Sequence, residues 1–222
     1  MVFKGTSLVI RHNGKILMKI KSKNIVGVLL AGGLARRMGG GDKCLKLLGG
    51  RTLLSYTIDV ASDQVGQMII NAAGNSSRFE KFNLPVVSDV VVGSKGPLAG
   101  VLTGMEWAAQ NVPNCDLIAT FPTDAPFFPS DLVNKLLHVL YINDADIACA
   151  RSNLRTHPVF AIWPIKLAED LREAIIVNNL RKIDEWTSRY KVTYVDWPTK
   201  PFDPFFNINR PEDLEQAEEY IN

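Results

Sequence analysis

From Ile25 onward, short continuous apolar runs alternate with longer stretches whose apolar residues recur at helical spacing. IVGVLLA reads as a strand buried on both faces, and TLLSYTIDVASD places Leu53, Leu54, Thr57, Ile58 and Ala61 on one helical face. QMIINAA is a second strand and VVSDVV begins a third. PLAGVLTGMEWAAQ is a helix with Pro97 in its first turn. DLIATFPTD is a fourth strand, and PSDLVNKLLHVL a helix that Ser130 would N-cap. ADIACA, PVFAIWP and YKVTYVDW add strands, helices are expected near 165–176 and 180–188, and PEDLEQAEEYI closes as a helix begun by Pro211.

Repeated strand–helix–strand spacing predicts an α/β fold, a three-layer sandwich with a mostly parallel mixed sheet and helices on both faces. Ligands of such sheets bind beyond the carboxyl ends of the strands. Residues 25–222 read as one domain without internal repeats or linkers. Residues 1–24 read as an extension in which Asn13-Gly14, between two branched-chain runs, is the signal of a hairpin turn.

Charge sharpens that boundary. Residues 1–24 hold six basic and no acidic side chains, so the net charge of +2 leaves −4 for the rest. A body of that balance does not suit non-specific nucleic-acid binding. A basic arm for a membrane surface or a partner is the alternative to a partly ordered extension. The N-terminus lacks the apolar segment and small-residue cleavage site of a signal peptide, and no apolar run approaches the roughly 18 residues that span a bilayer. Cys44, Cys115 and Cys149 are scattered without CxxC spacing, which argues against a disulfide framework or structural zinc and fits a reducing cytoplasm.

The densest chemistry is VGVLLAGGLARRMGGGDK, Val26 to Lys43. Gly32 and Gly33 permit a sharp turn and close approach of backbone amides to an anion. Arg36, Arg37 and Lys43 add positive charge, so the stretch suits several phosphates. Lys43 is followed by Cys44 rather than Ser or Thr, so it is not a P-loop, and the arginines do not fit a GxGxxG dinucleotide turn. Asp124, at a strand end with no basic residue near it in sequence, suits a Mg²⁺ bridging substrate phosphates, with turn chemistry as the alternative. Asn71 and Asp89 also end strands, and Asn71 could offer donors and an acceptor to a ribose or base. Gly96 and Gly100 in KGPLAG could let a base or cofactor pack close. Asn207 and Asn209 alternate with Ile208 and so would point to one face.

LAGGLARRMGGGDKCLKLLGGRTLL resembles the signature of the GT-A-like nucleotidyltransferases, with the pattern LAGGxxxRMGxxDK of the molybdenum cofactor guanylyltransferases. INAAGN, VVSDVV, GPLAGVLTGMEWA, FPTDAPFFPSDLV, HPVFAIWP and PFFNINRPEDL follow in family order, so the likeness spans about residues 25–220. Cys44 departs from it, standing where a small residue is common.

The resemblance implies a Rossmann-like nucleotidyltransferase that moves GMP from GTP to Mo-molybdopterin and releases pyrophosphate. It implies Lys43, Arg37 and Asp124 as catalytic, with Mg²⁺ on Asp124. GTP would meet Leu30, Ala31, Gly32, Gly33, Lys43, Asn71, Asp89 and Asp124. His157, Asn207 and Asn209 would lie on the pterin side or behind the metal ligand, His157 not as a general base. Other cofactor-biosynthesis proteins or an apo-molybdoenzyme chaperone are the implied partners, with neither nucleic acid nor membrane. The alternatives are a related transferase using CTP or a sugar-phosphate acceptor, a non-catalytic nucleotide-binding module, and an adaptor built on the basic arm.

Overall fold

A computed structural model describes residues 7–12, 15–21, 24–35, 37–91, 93 and 96–221. β1 (Ser7–His12) and β2 (Lys15–Lys21) pair antiparallel in a sheet of their own, with β1 lying against a helix of the main body. The predicted turn residues Asn13 and Gly14 lie outside the described residues.

The main sheet has seven strands: β3 (Ile25–Leu30), β6 (Gln67–Asn71), β7 (Val86–Val87), β8 (Leu117–Pro122), β9 (Ile147–Ser152), β10 (Arg155–Pro164) and β11 (Val192–Trp197), in the order β11-β9-β10-β8-β3-β6-β7. Only β10 runs against its neighbours, and β9 and β11 point the same way as β3, β6, β7 and β8. A small hairpin, β4 (Leu47–Leu48) with β5 (Arg51–Thr52), follows the glycine-rich loop.

The helices cover both faces, as the alternating pattern requires. On one side α1 (Leu53–Ser62) and α3 (Leu132–Ile142) pack with Ile25, Leu29 and Phe121. On the other, α2 (Pro97–Asn111), α4 (Ala168–Ile176) and α5 (Ile183–Thr187) pack with Val26, Val28 and Ile118. Consecutive residues of β3 thus enter opposite cores, which is why its apolar run is unbroken. α6 (Pro211–Ile221) buries Ala217 beside Ala35, Met38, Leu48, Leu53 and Ile208, a third cluster behind the glycine-rich loop.

Local details differ from the sequence reading. Asp131, not Ser130, stands at the N-cap of α3, and its carboxylate reaches Lys135 Nζ at 2.8 Å instead of capping. The helix expected near 180–188 is confined to α5, and the one near 165–176 starts as a 3-10 turn, Ile165–Leu167. Asn207, Ile208 and Asn209 form no strand. Ile208 instead anchors its segment: it is fully buried, and its amide donates to the Asp124 carbonyl at 2.8 Å.

Candidate active site

The chain steps from β3 to β6 to β7 toward one edge, then returns to lay β8 on the other side of β3. That reversal opens a crevice at the carboxyl ends of β3 and β8. The loop after β3 contains Gly32, Gly33, Arg37 and Lys43, and the one after β8 contains Asp124.

The first loop is closed on itself. The Ala35 amide donates to the Gly41 carbonyl and the Gly40 amide to Ala35, each at 2.9 Å, while the Lys43 amide meets the Gly33 carbonyl at 3.0 Å. Gly39, Gly40 and Gly41 all take positive φ, at 80°, 82° and 76°, a run that side chains other than glycine resist. Ala31 is tied to the next strand, its amide donating to the Asn71 carbonyl at 2.9 Å. Leu30 is held through its carbonyl, which accepts from Thr123 Oγ1 at 3.0 Å. Gly32 and Gly33 are exposed, and among the described residues their amides make no backbone bond. Arg37 is exposed and enters no ion pair with another described residue; Arg36 lies outside the described residues.

Lys43 crosses the crevice. Its ammonium lies 2.6 Å from Asp124 Oδ2 and 2.5 Å from Asn209 Oδ1, with side-chain exposures of 11% and 28% for Lys43 and Asp124. Three segments far apart in sequence thereby meet at one cation. Asn207 offers its carbonyl to Asn209 Nδ2 at 3.5 Å. The Asn209 and Arg210 amides both donate to Asp213, at 2.7 and 2.9 Å, which fixes the approach to α6.

Asn71 and Asp89 form a second group, beyond β6 and β7. Asn71 Nδ2 donates to Asp89 Oδ1 at 2.9 Å and to the Val87 carbonyl at 3.2 Å. Both of its amide protons are therefore bonded inside the protein. Within the protein, a Cβ on Gly100 would crowd Asn71, at 2.4 Å from its Oδ1, whereas one on Gly96 would stand 3.4 Å from the Arg181 carbonyl.

His157 stands apart. It is buried, packs tilted against Phe205 with ring centroids 4.7 Å apart, and bonds Ser152 Oγ through Nε2 at 2.7 Å. Ser152 in turn donates to Asp203 Oδ2 at 3.0 Å, so the single hydroxyl proton is used and Nε2 must carry the other. Burial, with help from Arg155, holds the imidazole below its usual 6.5, against the opposing effect of Asp203. The group joins the β9–β10 hairpin to the Asp203 segment.

Other contributors were not singled out from sequence. Arg78 Nε lies 2.6 Å from Asp42 Oδ2, an ion-pair contact poorly directed for a hydrogen bond, and its guanidinium reaches the Ala73 and Asn75 carbonyls. It thus ties the loop after β6 to the residue preceding Lys43. Nothing in GNSSR distinguishes that arginine from a surface one. Cys44 is buried in the core beside Ala31, its thiol pushed up to about 12 by burial, so the side chain fills space without opening the loop. All three cysteines are free and buried. No described helix is long and apolar enough to cross a membrane.

A glycine-rich loop and a carboxylate facing each other across the reversal of a mostly parallel sheet define a nucleotidyltransferase fold, and the comparisons agree. The MobA-like NTP transferase domain family matches residues 27–192. The chain is 50% identical over 191 residues to a molybdenum cofactor guanylyltransferase of Rhodopseudomonas palustris (strain BisB5), covering 86% of this chain and 91% of that one. It is 47% identical over 194 residues to the Bradyrhizobium sp. (strain ORS 278) molybdenum cofactor guanylyltransferase, covering 87% and 92%. The crystal structure of molybdopterin-guanine dinucleotide biosynthesis protein A from Archaeoglobus fulgidus superposes with a TM-score of 0.70 at 23% identity over 89% of this chain and 98% of that one, a likeness of fold. The chain belongs to the MobA-like NTP transferase family, among its molybdenum cofactor guanylyltransferases.

Proposed function

We propose that the enzyme transfers GMP from GTP to the terminal phosphate of Mo-molybdopterin. A pterin phosphate oxygen forms a bond to the α-phosphorus of GTP, the bond from that phosphorus to the bridging oxygen breaks, and pyrophosphate leaves. The observation supporting this reading is the meeting of Lys43, Asp124 and Asn209 beside the glycine-rich loop. The open Gly32 and Gly33 amides and Arg37 suit the β- and γ-phosphates, and Lys43 suits the oxygens on which charge grows. The attacking phosphate is already largely dianionic at neutral pH, so no side chain need remove a proton.

Asp124 fits a Mg²⁺ that arrives with the nucleotide. Among the described residues no cluster of three or more His, Cys, Asp or Glu could hold a metal, and Mg²⁺ commonly uses one or two carboxylates plus substrate phosphates and water. When bound there, the ion neutralises phosphate charge. Asp124 would hold it, and Asn209 would keep Lys43 at hand once the ion competes for the carboxylate. Asp89 is the nucleoside contact of this reading, and a carrier of the finished cofactor its partner.

Incubation with each NTP, Mg²⁺ and Mo-molybdopterin, reading pyrophosphate release, tests the assignment. GTP should be used in preference to CTP and ATP. Equal or faster turnover with CTP would overturn the guanylyl reading and keep the transferase class.

A further inference from the structure

Asp42 occupies the N-cap position of the 3-10 turn Lys43–Leu45, where a carboxylate ordinarily accepts from the backbone amides that follow. It makes no such bond. Its side chain turns instead to Arg78, in the 3-10 helix Ser76–Phe82 beyond β6: Nε stands 2.6 Å from Oδ2, and Nη2 donates to Oδ1 at 3.4 Å. The pair is largely enclosed, with side-chain exposures of 19% for Asp42 and 26% for Arg78. The guanidinium is itself held on other sides. It donates to the Ala73 and Asn75 carbonyls, and its central carbon lies 4.5 Å from the centre of the fully buried Phe79 ring. The glycine-rich loop lacks such a hold of its own, for a Cβ on Gly39, Gly40 or Gly41 would meet nothing within 4 Å. Holding Asp42 holds both limbs of the loop, because Asp42 bridges to Leu34 and the next amide, of Lys43, donates to the Gly33 carbonyl. The pairing also removes a conflict of charge: an uncompensated carboxylate one residue before Lys43 would repel the phosphates that the loop suits.

We infer that Arg78 is a positioning residue for the glycine-rich loop: pinned by two carbonyls and the Phe79 ring, it fixes and neutralises Asp42, and so holds Lys43 and the amides of Gly32 and Gly33 where a triphosphate meets them. Arg78 itself does not touch the nucleotide. The inference rests on the reading of that loop as the triphosphate site.

Kd values for GTP and GMP from calorimetry on the full chain, with melting curves alongside, test it. Lys43→Ala calibrates the loop and should raise the Kd for GTP about tenfold or more, the loss of one charge-assisted contact. Arg78→Ala should raise it several-fold, while the Kd for GMP, which lacks the β- and γ-phosphates, stays within about twofold of wild type. Once Asp42 is alanine, Arg78→Ala should change the Kd for GTP by less than about twofold, because a residue acting through another has nothing left to position. Arg78→Lys keeps a charge for Asp42 but loses the planar fork that also reaches the carbonyls. It should show a smaller loss of the same kind, for GTP and not GMP, which keeps the inference testable if Arg78→Ala fails to fold. Arg172→Ala breaks the ion pair between α4 and Glu106 of α2, and should lower the melting temperature with the Kd for GTP within about twofold of wild type.

An Arg78→Ala effect undiminished in the Asp42→Ala background would show that Arg78 contacts the nucleotide itself, and would overturn the inference. So would equal losses for GTP and GMP, which would mean that only general packing matters, and so would an unchanged Kd for GTP in Arg78→Ala. A wild-type Kd for GTP in Lys43→Ala would remove the loop from the triphosphate site, and the inference with it.

Discussion

Lys43 Nζ lies 2.6 Å from Asp124 Oδ2 although 81 residues separate the two in the chain. The lysine that suits phosphate and the carboxylate that suits a metal are thus paired with each other. A pair of this kind keeps both charges compensated until the nucleotide brings phosphates for one and a cation for the other. Each partner then has a distinct signature when removed.

Lys43→Ala should weaken GTP binding and slow the chemistry together. One charge-assisted contact of roughly 1.5–3 kcal/mol corresponds to about a 10- to 150-fold fall in kcat/KM. Steady-state kinetics on GTP measures it, and values close to wild type would remove Lys43 from the phosphate site.

Asp124→Asn keeps the side-chain shape and removes the charge. Activity should fall at least about a hundredfold and recover only in part as Mg²⁺ is raised, since a metal at the phosphates is worth several kcal/mol. The nearly enclosed Lys43 ammonium would keep only neutral acceptors. For this partly exposed pair, a cost of about 1 kcal/mol lowers the melting temperature by roughly 2–4 °C. A Mg²⁺ titration of turnover with melting curves beside it separates the two effects. Retained activity would exclude Asp124 as the metal carboxylate, and collapse of the fold would make it a turn residue.

The chain Asp203–Ser152–His157 gives a pH dependence. Burial keeps the His157 imidazole below its usual 6.5, so the folded protein binds fewer protons there than the unfolded chain does. Its contribution is therefore intact above pH 6.5 and is lost as the pH falls from 6.5 toward the lowered value. Melting temperatures between pH 7.5 and about 5.5 should fall more steeply for wild type than for His157→Gln, which keeps a donor for Ser152 without titrating. Parallel curves would show that His157 contributes nothing to acid sensitivity.

A chain starting at Asn24 should fold and retain kcat/KM within about twofold, the scale of a change away from a site. β1 and β2 form their own sheet and share no ladder with the seven strands, and every site residue follows Ile25. A folded but inactive truncation would show that the hairpin helps build the site.

The order of elements was legible because burial imposes a period on local sequence. Val26, Val28, Ile25 and Leu29 enter opposite cores and so appear as one apolar run, and Pro97 and Pro211 open the helices that their fixed backbone favours. The glycine-rich loop was legible too, since three successive positive φ angles have few other solutions. Hydrogen-bond partners were not. That the Asn71 amide meets Val87 and Asp89 follows from the register of β6 beside β7. That His157 meets Ser152, and Ser152 meets Asp203, follows from the β9–β10 hairpin and the segment packed beside it. Local sequence determines what a segment can bury and where it must turn, because those depend on neighbours along the chain. Which polar group is satisfied within the protein, and which is left for a ligand, is decided by strand register and helix packing between segments up to 166 residues apart.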